Sequence, residues 1–163
     1  MGGPAVLGYP LSRRYADGRF ISQAFDNYVL RWDPAGRSIS LANTLDDLSV
    51  AGFDPALLAD HGIAKATTWT QDTGRPWATI LQNHLALLDR VDQLKDAYLA
   101  RDYLSLDGLP MGVTATATKQ VIRAQRTALV WDKDTGVSVV HGATLAKKVG
   151  FLPADVLIPE DQR

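Results

Sequence analysis

The chain has 163 residues, with 17 basic and 18 acidic side chains, three histidines and no cysteine. A net charge of −1 argues against a dedicated nucleic-acid binder, whose footprint is a basic excess. The missing cysteines exclude thiol catalysis, disulfides and thiolate zinc sites, and 46% hydrophobic residues suffice for a core without staples.

The chain opens Met1-Gly2-Gly3-Pro4, with no basic or apolar leader region, and its apolar runs fall far short of a membrane span. Two localisations follow: cytoplasmic if Met1 is the native start, extracellular or cell-surface if the chain is a trimmed or mature piece. Glu160 is the sole glutamate beside seventeen aspartates, a bias without a physical account beyond aspartate's suitability for caps and turns.

Near the start, Gly8-Tyr9-Pro10-Leu11 sets a glycine before X-Pro, and the proline fixes a turn there. Phe20–Phe25 and Tyr28–Trp32 read as short strands, rich in β-branched and aromatic residues. Asp33-Pro34-Ala35-Gly36 is a type I turn pattern, and Ser38–Ala42 alternates as a third strand. Thr44 with Asp47 resembles a capping box opening a short helix to Val50, and Asp54-Pro55 resembles the cap and first position of another.

Residues 66–71 read as a strand or an extended linker. From Pro76 to Ala100, the residues Ile80, His84, Leu87, Val91, Leu94 and Tyr98 recur at spacings of three and four, predicting one long amphipathic helix. Strands follow at 120–125, 127–131 and 137–140, then a helix over 143–149 ending at Gly150.

These later elements repeat the earlier ones. Gly108-Leu109-Pro110-Met111 echoes the opening turn, Leu129-Val130-Trp131-Asp132 echoes Leu30-Arg31-Trp32-Asp33, and Gly136-Val137-Ser138-Val139 echoes Gly36-Arg37-Ser38-Ile39. Thr144-Leu145 matches Thr44-Leu45, and Gly150-Phe151-Leu152-Pro153-Ala154 matches Gly52-Phe53-Asp54-Pro55-Ala56, all in the same order. The expected architecture is α+β: two duplicated three-stranded antiparallel meander-plus-helix units packed on a long central helix. The expected boundaries are a first repeat over 1–62, a linker and long helix over 63–104, and a second repeat over 105–163.

Little in this pattern carries chemistry. His61 precedes Gly62 where a helix ends, a favourable charge–dipole placement, although Asp60 beside it suits a general base. His84 lies on the apolar stripe and reads as a core histidine with one ring nitrogen satisfied; His141 reads as a core-edge residue. No nucleophile elbow, Walker loop, dinucleotide fingerprint or histidine pair with metal-ligand spacing is present, so no cofactor or metal is expected. Asp89, Asp92 and Asp96 read as a solvated helix face.

Aromatic residues crowd the first copy beside arginines, and Tyr9, Tyr15, Tyr28, Arg14, Arg19 and Arg31 are the candidate ligand-binding set. Trp32 reads instead as core, because its counterpart Trp131 is retained. Lys119, Arg123, Arg126 and Lys133 form a modest basic strip, read as a solvated sheet face.

The run Gly2-Gly3, Leu7-Gly8-Tyr9-Pro10-Leu11-Ser12, Gly18, Gln23-Ala24-Phe25 and Leu30-Arg31-Trp32-Asp33-Pro34 resembles a repeat of secreted Chloroflexi and actinobacterial surface proteins, a looser relative of LGFP-type repeats. Gly108-Leu109-Pro110, Ile122-Arg123-Ala124-Gln125-Arg126, Trp131, Leu145-Ala146-Lys147-Lys148, Gly150 and Pro153 resemble the module closing such proteins. Residues 80–85 and 97–100 are similar to its linker helix. The resemblance implies a non-catalytic appendage that binds peptidoglycan, another surface glycan or a protein partner, and it brings no catalytic residues. Where the repeat usually has a preceding helix, this sequence begins inside the first motif. The alternative readings are a structural subunit of a homo- or hetero-oligomeric assembly and, third, a hydrolase using His61 or His141.

Overall fold

The computed structural model describes residues 3–159 and Gln162. Gly2 of the glycine pair and the single glutamate, Glu160, lie outside the described residues. The fold is α+β and contains two four-stranded antiparallel sheets with the same sequential strand order. The first sheet is β1 (Tyr15–Asp17), β2 (Phe20–Ala24), β3 (Val29–Asp33) and β4 (Ser38–Leu41). The second is β5 (Pro110–Ala115), β6 (Lys119–Ala124), β7 (Thr127–Asp132) and β8 (Gly136–His141).

Each sheet thus has one strand more than the three expected. The additional strands, β1 and β5, lie on the N-terminal side of each meander. β1 has three residues, too short for a periodic signal, and β5 contains Pro110 and Gly112 with a shift in register between them. Tertiary pairing supplies what local propensity does not.

The helices are α1 (Gly3–Leu7), α2 (Thr44–Val50), α3 (Asp54–His61), α4 (Trp77–Leu85), α5 (Asp92–Leu99), α6 (Tyr103–Leu106) and α7 (Gly142–Lys148). One long helix over 76–100 is not what forms. α4 passes into a 3-10 turn at residues 86–90, and Val91, at φ −141° and ψ 65°, leaves the helical region before α5 starts. The Gln93 N–H donates to Asp92 Oδ1 at 3.0 Å and to Gln120 Oε1 at 3.2 Å, so β6 holds the first turn of α5, which has no side-chain cap. Apolar spacing alone does not record this break, because both halves present their stripe to the same sheet. Residues 66–69 form neither helix nor strand and lead into a 3-10 turn at Thr70–Asp72.

The chain divides into two compact units that are not the two sequence copies. One comprises residues 1–44 with 141–163, the other residues 45–140. The helix following each sheet in the chain therefore belongs to the unit of the other sheet: α7 lies with the first, and nearly all of α2 with the second.

In the first unit, the Thr144 hydroxyl donates to the Asp26 carbonyl at 2.6 Å, and the Tyr28 ring meets His141 edge-on at 5.6 Å. The C-terminal segment closes the unit through Arg13 N–H to Val156 O at 2.7 Å and Ile158 N–H to Leu11 O at 2.9 Å. In the second unit, Leu88, Val91, Leu94 and Tyr98 are buried with Ile122, Ala124 and Leu129, and Val113, Trp131 and Val139 pack around them. Covering those apolar side chains removes them from water, the main favourable contribution to this unit. The expected shared helical wall is thus a broken helical segment packed, within its own unit, on the second sheet.

The same local bonds recur in both sheets. Gly8 and Gly108 have φ of 79° and 81°, and the next residue donates its N–H to a side chain across the turn. Tyr9 donates to Asp26 Oδ2 at 2.8 Å, and Leu109 to Gln125 Oε1 at 3.1 Å. Asn27 N–H bonds to Leu7 O at 3.0 Å as Arg126 N–H bonds to Asp107 O at 2.9 Å. After each following helix, Phe53 N–H reaches Leu48 O and Phe151 N–H reaches Ala146 O.

Two expected caps are used differently. The Thr44 hydroxyl donates backwards to Ala42 O rather than capping α2. Asp54 sits inside α3, behind Phe53 at the cap position, and its carboxylate accepts from Ser49 at 2.6 Å and Arg123 at 2.8 Å.

Candidate functional site

Among the described residues, three constellations of polar or aromatic side chains bear most on function. The first is centred on Arg123, which is buried on β6. Its Nη1 donates to Asp54 Oδ1 at 2.8 Å and Ala64 O at 3.0 Å, and its Nη2 to Leu45 O and Ser49 Oγ at 2.6 Å. Arg123 is therefore no part of a solvated basic strip. Its planar fork is matched to acceptors from α2, α3 and the segment after α3. Burial opposes ionisation of Asp54, but the hydrogen bonds from Ser49 and Arg123 outweigh it and hold its carboxyl below the usual range. This is an internal clamp.

The second constellation surrounds His84, on α4. Its Nδ1 meets Pro110 O at 2.6 Å, its Nε2 meets Asp72 Oδ2 at 2.8 Å, and Trp69 stacks on the ring at 3.9 Å. Asn83 Nδ2 donates to the other Asp72 oxygen at 2.8 Å. Both ring nitrogens are engaged, where sequence reasoning expects one. With the side chain 4% exposed, His84 fastens Trp69 and Asp72 to α4 and β5.

The third lies on the first sheet. Pairing sets Ile21 opposite Trp32 and Trp32 opposite Ile39, with Gln23, Leu30 and Leu41 forming the adjacent row. Side chains alternate across a strand, so these six residues share one face, while Ser22, Ala24 and Val29 turn to the other and are buried. Arg14, Ile21, Gln23, Leu30, Trp32 and Ile39 line a groove of about 420 Å³. Ile21 is 43% exposed and Ile39 57% exposed, a high fraction for isoleucines on a sheet.

The sequence-derived ligand set is only partly brought together. Arg14 lines the groove. Arg19 is exposed above the Phe20 ring and pairs with Asp33 at 3.2 Å. Arg31 pairs with Asp17 at 2.8 Å and also lies over Phe20. Tyr15 pairs with Ser22 and so points to the opposite side of the sheet from Ile21. Tyr28 is buried, and Tyr9 is 65% exposed at the opening turn.

Trp32, expected as core, is instead half-buried in the groove beside Ile21, Leu30 and Ile39. The alternation of Ser38–Leu41 identifies Ile39 as one-faced, but nothing local tells which face stays open.

His61 closes α3, with Gly62 in the left-handed conformation as its cap, matching the helix-end placement expected. His141 sits at the end of β8 against Tyr28. Among the described residues, no group of three or more His, Cys, Asp or Glu could hold a metal ion, and no helix is long and apolar enough to cross a membrane.

Comparison with known proteins gives no match to a family model, a curated protein or a solved structure, so the site's own geometry carries the functional reading.

Proposed function

We propose that this chain is a non-catalytic binding module built from two duplicated units, and that it binds a protein partner through the open face of its first sheet. One observation carries this reading: the row Ile21–Trp32–Ile39 leaves two isoleucines substantially exposed beside a half-buried tryptophan. Leaving that apolar area in water forfeits its transfer free energy, so a partner that covers it gains affinity directly. Four apolar side chains, Ile21, Leu30, Trp32 and Ile39, outweigh the groove's planar polar groups, Arg14 and Gln23, and that balance suits a protein surface better than a sugar. A module of this kind is compatible with the resemblance to bacterial surface-protein repeats, whose expected ligands include protein partners.

Site-specific photocrosslinking tests the proposal. A photoreactive residue at Ile39 in the native cells should give a discrete protein adduct, and one at Asp134, in the exposed β7–β8 turn, should not. Absence of any adduct at Ile39 overturns the protein-binding reading. Saturable binding of peptidoglycan fragments or oligosaccharides at Trp32, with no protein adduct, assigns the face to a surface polymer instead.

A further inference from the structure

The second sheet shows what an equivalent face carries when it is covered. Aligning Trp32 with Trp131 sets Leu30 on Leu129, Gln23 on Ile122 and Ile21 on Gln120. In the second sheet, Ile122 and Leu129 are fully buried under the segment bearing Leu88, Val91, Leu94 and Tyr98. In the first sheet, the same strand positions line the open groove. We infer that the occupant of this groove is an amphipathic helix of a partner protein, seated as residues 85–98 are seated on the second sheet. The inference rests on the binding reading above and names its partner's chemistry.

Charge and register narrow that chemistry. Arg19 and Arg31 are paired with Asp33 and Asp17. Arg14 lines the groove itself. Its guanidinium favours a helix with a carboxylate flanking its apolar stripe, as Asp89, Asp92 and Asp96 accompany the stripe of residues 85–98. One position should differ. In the second sheet, Gln120 donates to Asp92 Oδ1 at 2.9 Å and accepts the Gln93 N–H at 3.2 Å, holding the start of α5. Ile21 stands at that position in the first sheet and can neither donate nor accept there. The partner helix is therefore apolar where α5 carries Asp92.

The chain itself supplies a probe: a helix-stabilised synthetic peptide of residues 84–100 with Asp92 replaced by Leu, added to the intact ¹⁵N-labelled protein. Backbone and indole resonances of Ile21, Leu30, Trp32 and Ile39 should shift saturably, and Ile39→Lys should weaken the peptide at least tenfold. Restoring Asp92 in the peptide should also weaken it, and a scrambled peptide should leave the spectrum unchanged.

Shifts centred on Ile122 and Leu129 would mean that the peptide displaces its own counterpart, which overturns the inference. So would an unchanged spectrum at millimolar peptide. Concentration-dependent dimerisation that Ile39→Lys abolishes would assign the face to a second copy, also overturning it. A protein adduct at Ile39 without peptide binding would defeat the helix while leaving the protein-binding reading intact; absence of both would defeat the two together.

Discussion

Arg123 Nη1 and Asp54 Oδ1 meet at 2.8 Å in an ion pair within one compact unit, although 69 residues separate them in sequence. The guanidinium also supplies donors to Leu45 O, Ser49 Oγ and Ala64 O, so four acceptors depend on one side chain. Arg123→Met keeps the stem but leaves these acceptors without that donor, and should cost about 3–5 kcal/mol. Urea unfolding reads this directly; a loss below about 1 kcal/mol would show that the clamp is dispensable. Replacing Asp54 with Leu in the same variant should recover part of the loss, because the uncompensated carboxylate goes with it.

Two aspartates give opposite pH dependences. Asp54, with its carboxyl held low, adds stability above its unfolded pKa that is lost as pH falls through its folded value. Asp46 is pushed up to about 6, chiefly by burial, with the Gln125 hydrogen bond opposing the shift. Its folded form therefore favours the proton, and its contribution weakens as pH rises from 3.8 through 6. Asp46→Asn should gain on the natural chain across that interval, reaching on the order of 1–2 kcal/mol at neutral pH after allowance for partial exposure. Thermal unfolding of both proteins from pH 4 to pH 8 measures the difference; a flat difference would refute the assignment.

Gly8 and Gly108 carry the two opening turns. Each has a positive φ, and an added Cβ would lie 2.6 Å from Asp26 Cβ or 2.8 Å from Gln125 Cβ. Gly8→Ala and Gly108→Ala should each cost about 2–3 kcal/mol, combining backbone strain with displacement of the bonded side chain. Gly136→Ala has the same sign of φ but open space around the new methyl, so it should cost only about 1 kcal/mol. Equal melting temperatures for all three would contradict the crowding at Asp26 and Gln125.

The two sheets should also respond oppositely to one type of substitution. Ile39→Lys places an ammonium on a surface already more than half exposed and should change stability by about 0.5 kcal/mol or less. Leu129→Lys buries the charge beneath Leu94 and Tyr98 and should cost more than about 4 kcal/mol or abolish folding. Chemical denaturation distinguishes the cases, and a severe defect in Ile39→Lys would mean that its face is covered.

The local elements were legible because their causes are local. Alternation at Ser38–Leu41, Asp33 accepting the Ala35 and Gly36 N–H groups, and Gly62 closing α3 each depend on a few neighbouring residues. The repeated tetrapeptides likewise mark both sheets from local sequence alone. The break at Val91 was not legible, since apolar spacing reports which side of a segment is buried and not whether its backbone stays helical. Arg123 looked like a surface cation because all four of its acceptors come from elements distant in the chain.

By itself, then, the sequence determined the turns, the short strands, the repeated order and the apolar stripe of residues 80–98. Tertiary structure alone decided that each following helix joins the other sheet's unit, that Arg123 is buried, and that Trp32 lines an open groove while Leu129 is covered. The physical reason is that pattern specifies which side of a strand is apolar. Whether that side meets a helix or water depends on which distant segment reaches it.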